Sequence, residues 1–369
     1  MKATTNTIKK EYSSVVLVIS PHQADRNGGI AILVNTLSKY YDKFNYVTST
    51  RSNNIFLMSW YFINSIIKLI YYILFKRIEI VHIHGASYGS FFRKMILIHI
   101  ASFFRVKIIY HIHGGGFKAF YKKYNKYNII KKTLKKVDVL FVLSNTWKSF
   151  FSEIIPPSRI FIINNVIEKV KNPNLSIRSV DDSFVKFLFL GHIFDGKGIF
   201  DLLHVIATNR IELLERNFQL FIGGSGETQR LQDVIETERL NELVRFEGWV
   251  SGEEKQKLLA ECSVYVLPSY KEGLPISILE AMSYGRPVIS TTIGGIPEII
   301  TSGYNGILIT PGDSDAIFAA IIYMLTHSEE RTIMGRRSLE IIKDFYPNAV
   351  LPKINERYKE LLSKKYSKF

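Results

Sequence analysis

The residues with the clearest chemistry are Glu272 and Glu280, which lie eight positions apart around the turn Gly273-Leu274-Pro275. Proline suits the first position of a helix, because its missing N–H would have no partner there. The pattern therefore predicts a loop that carries Glu272 and a helix that carries Glu280 about a turn and a half inside it. Free N–H groups at such a helix start attract anions. We expect two acceptors for hydroxyl groups on either side of a phosphate site.

Three glycine-rich turns in the second half of the chain predict further phosphate contacts. Each follows a strand-like run, and they span 191–198, 223–227 and 294–298. Glycine lets the backbone approach a ligand and leaves N–H groups available to an anion, as expected at Gly224. Lys197, in the first of these turns, could neutralise a departing diphosphate as a point charge.

A further glycine pair, Gly28 and Gly29, follows the first predicted strand and precedes the first predicted helix. It could bring backbone N–H groups to a phosphate, and it could equally be a plain flexible turn. The pattern is not Gly-x-Gly-x-x-Gly, so this turn lacks the fingerprint of a nicotinamide nucleotide site.

Four histidines lie near the ends of two predicted strands, as the pairs His82 and His84, and His111 and His113. We expect the members of each pair to point to opposite faces of the sheet, which would prevent either pair from chelating one metal. No carboxylate cluster completes a metal site, so none is predicted. The second histidine of each pair should be exposed at the strand tip. His113, followed by three glycines, is the catalytic candidate, because its imidazole could bond a substrate hydroxyl.

The excess of positive over negative charge lies in the first half of the chain. The net charge is +15, and residues 1–170 hold 25 basic and 7 acidic residues, or +18. Such an asymmetry predicts an anionic partner for the first half, either an acidic membrane surface or nucleic acid. No targeting segment is visible in the sequence.

Two segments of the first half could contact such an anionic partner. Residues 118–136 hold eight lysines interleaved with aromatic residues, which is typical of a solvated helix face or of a lipid-facing amphipathic helix. Nucleic-acid binding is the weaker alternative, since no known motif accompanies the segment. Residues 55–75 are apolar apart from Lys68 and a few polar positions, and we expect a helix packed on a sheet with an outer face that can touch lipid, rather than a membrane span.

Strand-like and helix-like runs alternate twice along the 369 residues, which predicts an α/β protein of two domains with parallel sheets. We place the domains at 1–168 and 182–346, joined by a polar linker at 168–182. Residues 347–369 read as an amphipathic helix that packs back toward the first domain. The single cysteine, Cys262, excludes an intrachain disulfide and lies in an apolar run, where a buried thiol is expected.

Together these motifs resemble the family-four retaining glycosyltransferases, also called group 1, and the resemblance covers nearly the whole chain. It implies the GT-B architecture, with two Rossmann-like domains whose parallel sheets face each other across a cleft. The family signature is the pair Glu272 and Glu280, which would contact the donor sugar hydroxyls and the ribose. The amides of Gly273 and Leu274 would lie near the diphosphate.

The resemblance assigns further roles. Lys197 matches the family's diphosphate lysine, His113 matches the histidine that reaches the transferred sugar, and Gly28 with Gly29 matches the loop that closes over the phosphates. His192 stands where the family usually has an arginine, and an imidazole offers fewer donors than a guanidinium. This departure bears on how tightly the diphosphate is held.

We therefore expect a retaining transferase that needs neither a metal nor a cofactor. It would move a hexose or N-acetylhexosamine from a nucleotide sugar, preferably a UDP-sugar, to a lipid-linked saccharide. It would work in the cytoplasm, peripherally bound to the anionic inner face of the cell membrane, in synthesis of a capsule, O-antigen or exopolysaccharide. A GT-B-shaped nucleotide-sugar epimerase and a non-catalytic docking protein are the alternatives. An epimerase needs no external acceptor and no basic amphipathic surface.

Overall fold

The structure is a computed structural model that describes residues 7–22, 29–51, 54–124, 128–170 and 184–363. The chain divides into two compact units. The first contains Met1–Glu168 and Asp344–Phe369, and the second contains Lys169–Lys343. Most of the predicted linker at 168–182 lies outside the described residues.

The first unit is built on a parallel sheet of six strands in the order β2-β1-β3-β4-β5-β6. Its strands are β1 Val16–Pro21, β2 Asn45–Thr50, β3 Ile80–Gly85, β4 Lys107–Ile112, β5 Val139–Val142 and β6 Ile160–Ile162. Except for β2, each of these strands coincides with a run rich in β-branched residues in the sequence. The central strands β3, β4 and β5 are buried along almost their whole length, as parallel strands covered on both faces must be.

Helices connect these strands. They are α1 Lys10–Ser13, α2 Gly29–Ser38, α3 Ile55–Phe75, α4 Gly89–Phe103, α5 Phe117–Tyr124, α6 Ile129–Leu134 and α7 Asn145–Ser152. The described residues of the lysine-rich segment 118–136 thus lie mostly in α5 and α6. Phe120 and Leu134 are buried in the core of the unit, whereas Lys122, Lys123 and Lys132 are exposed. The aromatic face of α5 therefore belongs to the protein core, and the lysines face outward.

Helix α3 has an apolar outer face. The helix packs on β2 and α4, as predicted, and it buries only Ser65 and Leu69 fully. By length and composition it could also cross a membrane. Large apolar side chains recur every three or four positions on the outer face and are between 46% and 82% exposed; they are Phe56, Trp60, Ile63, Ile67, Tyr71 and Leu74. This set, which we call the α3 stripe, runs for about 27 Å at 1.5 Å per residue.

The second unit holds another parallel sheet of six strands, in the order β12-β11-β10-β7-β8-β9. Its strands are β7 Val185–Ile193, β8 Phe218–Gly226, β9 Val244–Phe246, β10 Val264–Leu267, β11 Val288–Thr291 and β12 Gly306–Ile309. Each of these strands coincides with a strand-like run in the sequence. Cys262, just before β10, is buried as expected, and burial raises the pKa of its thiol to about 11.

The helices of the second unit lie between these strands and after the last of them. They are α8 Ile199–Thr208, α9 Arg210–Glu215, α10 Thr228–Thr237, α11 Gly252–Glu261, α12 Ile276–Ser283, α13 Ser314–Thr326 and α14 Ser328–Ile341. Strand β10 lies between β11 and β7, so the loops that follow these three strands meet at one edge of the sheet.

The helix α15, Pro347–Ser363, follows the second unit in sequence but belongs to the first. It buries Tyr358, whose hydroxyl lies 2.7 Å from the Tyr41 hydroxyl and 2.7 Å from Nδ1 of His82. Asn355 donates to the Thr7 carbonyl at 2.9 Å. The helix is therefore an integral part of the first core.

A buried lysine lies among the apolar residues of α4. Lys94 is 1% exposed, and its ammonium donates to the Ser49 hydroxyl. The ion pairs of the described residues do not include it. Burial, with a smaller contribution from Arg93, lowers the pKa of Lys94 from 10.5 to about 7.

Replacing Lys94 should stabilise the protein, most at neutral pH and below. Between pH 7 and 10.5 the unfolded chain binds a proton that the folded chain does not, so wild-type stability rises with pH through this window. Lys94→Met removes the buried charge and should add about 1–4 kcal/mol at pH 7. The gain should shrink toward pH 10. Urea unfolding at several pH values measures it, with the exposed Lys122→Met as control. A loss of stability at every pH would contradict the prediction.

Candidate functional site

The acid loop after β10 has the predicted local structure. Glu272 lies in the loop, Pro275 is the N-cap residue, and Glu280 lies within α12. Pro275 makes no side-chain cap to this helix, and the positive end of the helix dipole of α12 lies beside the acid loop. The Gly-Leu-Pro sequence produces this geometry, since proline cannot donate and fixes the entry of the chain into the helix.

Glu272 and Lys197 form an ion pair. Lys197 lies at the end of the 3₁₀ turn Asp195–Lys197, which follows β7, and β7 is the neighbour of β10. The Glu272 carboxylate is 8% exposed, accepts from the Ser269 hydroxyl at 2.9 Å and contacts the Lys197 ammonium. Two residues singled out separately in the sequence are thus brought into direct contact.

Glu280 has a lysine partner of its own. Its carboxylate accepts from Nζ of Lys255 on α11 at 2.6 Å, and both side chains are about 24% exposed. The sequence did not point to Lys255, because the two residues lie 25 positions apart and on different helices. Each of the two acids is therefore held by one lysine.

The glycines at the ends of β7 and β8 allow these two strands to approach each other closely. Both strands run further than expected, to Ile193 and Gly226, so His192 lies within β7 opposite Ser225. A Cβ on Gly224 would stand 2.0 Å from the Gly191 carbonyl oxygen. The Gly224 N–H donates to the Gly248 carbonyl at 2.8 Å, so this amide is engaged within the sheet and does not form the open anion nest that the turn predicted.

The turn after β11 supports the acid loop. Gly294 has a φ of +60°, and a Cβ there would stand 2.1 Å from the Glu272 carbonyl oxygen. The next N–H, of Gly295, donates to the Gly273 carbonyl at 2.7 Å. Only glycine permits this close approach, and the turn fixes the backbone of Glu272 and Gly273 from the side of β11.

The four histidines share one face of the first sheet, and the expectation of opposite faces was wrong. Residues two positions apart in a strand point to the same side. His84 pairs in register with His111 on the neighbouring strand, so the rings of both pairs stack together. His84 is also buried, at 1% exposure, where an exposed strand tip was expected.

His113 is held by its neighbours in this stack. Its Nε2 lies 3.0 Å from Nδ1 of His84, and Asn165 also hydrogen-bonds the ring. Burial lowers the pKa of His113 from 6.5 to about 3, so the imidazole is neutral at physiological pH. A substrate hydroxyl would therefore meet a neutral ring whose orientation is already fixed.

The remaining candidates lie near the start of the first unit. Gly29 is the first residue of α2 and is exposed, which suits a backbone contact at a helix start. Gly28 lies outside the described residues.

Two α/β units, each built on a parallel sheet of six strands, are the architecture of the GT-B fold. The fold is shared with sucrose-phosphate synthase from Thermosynechococcus elongatus, at a TM-score of 0.77 and 17% identity, over 95% of this chain and 99% of that one. It is also shared with HepE from Anabaena in complex with UDP, at a TM-score of 0.71 and 16% identity, over 95% of this chain and all of that one.

Sequence comparison gives the family. Residues 177–340 match Glycosyl transferases group 1, and residues 15–169 match Glycosyltransferase Family 4. The O-antigen chain mannosyltransferase B of Escherichia coli is 32% identical over 170 residues, which is 46% of this chain and 44% of that enzyme. The chain belongs to the group 1, family-four-like glycosyltransferases.

Substitution of Gly294 should disturb the acid loop. Gly294→Ala places a methyl group against the Glu272 carbonyl in addition to the strain of a positive φ, so the loop must shift. Gly303→Ala is the matched control, because Gly303 has a φ of +75° with nothing within 4 Å. The control should lose about 1–2 kcal/mol from backbone strain alone. Urea unfolding should show a larger loss for Gly294→Ala, and equal losses would contradict the steric argument.

Proposed function

We propose that this glycosyltransferase moves a hexose or N-acetylhexosamine from a UDP-sugar to a lipid-linked saccharide, with retention of the anomeric configuration. The single observation that carries the donor assignment is the contact of Lys197 with Glu272 beside the start of α12. The UDP bound by HepE, which shares the fold, supports a uridine nucleotide. The similarity to an O-antigen chain mannosyltransferase supports a role in cell-surface polysaccharide synthesis.

The ion pair indicates how the donor would be received. Lys197 and Glu272 satisfy each other's charge in a site where an unpaired charge would be costly. A diphosphate placed at the α12 start competes for the ammonium, and the released carboxylate can then accept from sugar hydroxyls. Glu280, held by Lys255, is one and a half turns further along the same helix and is assigned to the ribose.

Catalysis in this proposal is electrostatic. As the nucleotide departs, charge grows on the diphosphate, where Lys197 and the α12 dipole are already oriented. No divalent cation is required at that position, so added Mg²⁺ should leave the rate unchanged. His113 of the first unit, with its ring fixed by His84, is assigned to the transferred sugar.

Removing either partner of the ion pair should abolish efficient transfer. Lys197→Ala deletes the group that stabilises the leaving diphosphate, and kcat should fall by about 100-fold or more. Glu272→Gln should also lose turnover, because a neutral amide is a weaker acceptor for sugar hydroxyls. A panel of UDP-sugars, ranked first by thermal shift of the wild type, supplies the donor for the assay.

The control for this prediction is Arg216→Ala, which breaks the exposed pair of Arg216 with Glu212. This variant should keep wild-type turnover, since an exposed helix pair contributes little. Full activity of Lys197→Ala would sink the donor assignment. Isomerised sugar without any acceptor would indicate an epimerase. NMR of the product's anomeric proton tests retention.

The acceptor side of the proposal is a membrane surface. The α3 stripe exposes aromatic and aliphatic side chains along one face of a 21-residue helix, as helices that lie in the membrane interface do. Beside it is an apolar groove of about 460 Å³ between α3, α4 and α6, lined by Ile70, Met95, Ile96, His99, Ile100, Phe103, Phe104 and Ile129.

Charge favours the same partner. The lysines of α5 and α6 face outward in a half-chain of net charge +18, which would draw the unit to anionic headgroups. We therefore place the enzyme in the cytoplasm, bound peripherally to the inner face of the membrane, where a lipid-linked saccharide is within reach. The α3 stripe would contribute affinity for the membrane through apolar contacts, and the lysines would give the preference for acidic lipids.

Two sets of variants separate these contributions in vesicle sedimentation. Trp60→Ser with Ile67→Ser should weaken binding to acidic and neutral vesicles alike, because apolar burial is lost. Lys122→Glu with Lys123→Glu should weaken binding to acidic vesicles at low salt and leave neutral vesicles unaffected.

Matched controls come from the second unit. Ile211 is 72% exposed on α9, and Lys257 is exposed on α11. Ile211→Ser and Lys257→Glu should bind like the wild type. Equal wild-type binding to acidic and neutral vesicles would remove the electrostatic part of the proposal, and retention of binding by the stripe variant would remove the apolar part.

A further inference from the structure

The stacked histidines leave buried ring nitrogens without partners. His82, His84 and His111 are 0–1% exposed. Nε2 of His82 and Nε2 of His84 have no hydrogen-bond partner, and the His111 ring has only a contact with the Ile163 backbone that falls outside normal hydrogen-bond geometry. A buried polar atom without a partner costs about 1–3 kcal/mol. Several such atoms in one place call for a physical explanation, such as a bound ion.

The opposite nitrogens of two of these rings are engaged. Nδ1 of His82 lies 2.7 Å from the Tyr358 hydroxyl, and Nδ1 of His84 lies 3.0 Å from Nε2 of His113. When each Nδ1 donates its proton to that partner, each Nε2 carries a free lone pair. This is the arrangement of metal-binding histidines, whose second nitrogen is held by an outer hydrogen bond that fixes the ring.

We propose that His82, His84 and His111 bind one divalent transition-metal ion, with Zn²⁺ as the representative of its class. One nitrogen from each ring lies within 4.8 Å of the others. Zinc–nitrogen bonds of about 2.0–2.1 Å require nitrogens about 3.4 Å apart in a tetrahedral site. To close the difference, the rings would rotate out of their stacked orientation, and the ion would then satisfy the unpartnered Nε2 atoms of His82 and His84.

The donor set selects the metal class. The cluster contains only imidazoles among the described residues, and these suit zinc, copper, nickel and cobalt, whereas Ca²⁺ and Mg²⁺ need oxygen ligands. Burial keeps the rings neutral, since it holds the pKa values of His84 and His111 well below 6.5. Neutral imidazole is the form that ligates.

The ligands lie on two neighbouring strands of the first sheet. His82 and His84 lie on β3, and His111 lies on β4, so the ion would join neighbouring strands. Phe141 stands edge-on to both His82 and His111 and closes one side of the cluster. With three protein ligands, a fourth position remains for water or hydroxide. The residues belong to the first unit, whereas Lys197 and Glu272 belong to the second, so this inference does not rest on the proposed function.

The experiment titrates the metal-free full chain with Co²⁺, whose visible absorption reports its coordination, and then displaces it with Zn²⁺. We expect saturation at one equivalent, bands typical of a four-coordinate site, and a rise in Tm with bound metal. His84→Leu and, separately, His111→Leu should abolish these signals. Both variants keep an apolar filling, and circular dichroism checks that they fold.

The control is the triple variant His99→Gln, His204→Gln and His327→Gln, which removes three exposed histidines and keeps the cluster. It should bind one Co²⁺ as the wild type does. No stoichiometric binding by the wild type, loss of the bands in the triple variant, or unchanged binding in both leucine variants would each overturn the proposal. The readout is metal binding, so a failure of the transferase assay would not affect it.

Discussion

Neighbouring parallel strands cannot be joined by a tight turn, because the chain must cross the sheet face before it returns to pair. This constraint places every strand's carboxyl end at the same edge of its sheet. Strands distant in sequence then become neighbours, and the loops after them meet. Lys197 follows β7 and Glu272 follows β10, and the two are in contact because these strands pair. His84 and His111 are adjacent for the same reason on β3 and β4. Both candidate sites are products of strand order.

Most of the fold could be predicted from the sequence, because strands buried on both faces read as continuous apolar runs. Strand β2 was missed, since Asn45–Thr50 lies at the sheet edge and its polar residues make no such run. The acid loop was predicted well, because Gly-Leu-Pro determines local backbone geometry without help from distant residues.

The contacts within the candidate site were harder to predict from the sequence than the fold was. The sequence marks Gly224 as a backbone position but does not say that its N–H is donated to Gly248. Likewise, Lys255 becomes the partner of Glu280 only when α11 and α12 are placed. For the histidines the sequence is sufficient, because the side-chain period of two in a strand places His82 with His84, and His111 with His113, on the same face. Lys94 was hidden because a helix pattern does not reveal which positions are fully enclosed.

The way the chain passes through its two units has a consequence for biosynthesis. The second unit is inserted between Glu168 and Asp344, and α15 completes the first core by bringing Tyr358 to Tyr41 and His82. A ribosome releases these parts in order, so the inserted unit can finish folding while the first still lacks a helix. Until that helix emerges, the surface it will cover stays open to water and to other nascent chains. The unit that starts first is therefore the one that matures last.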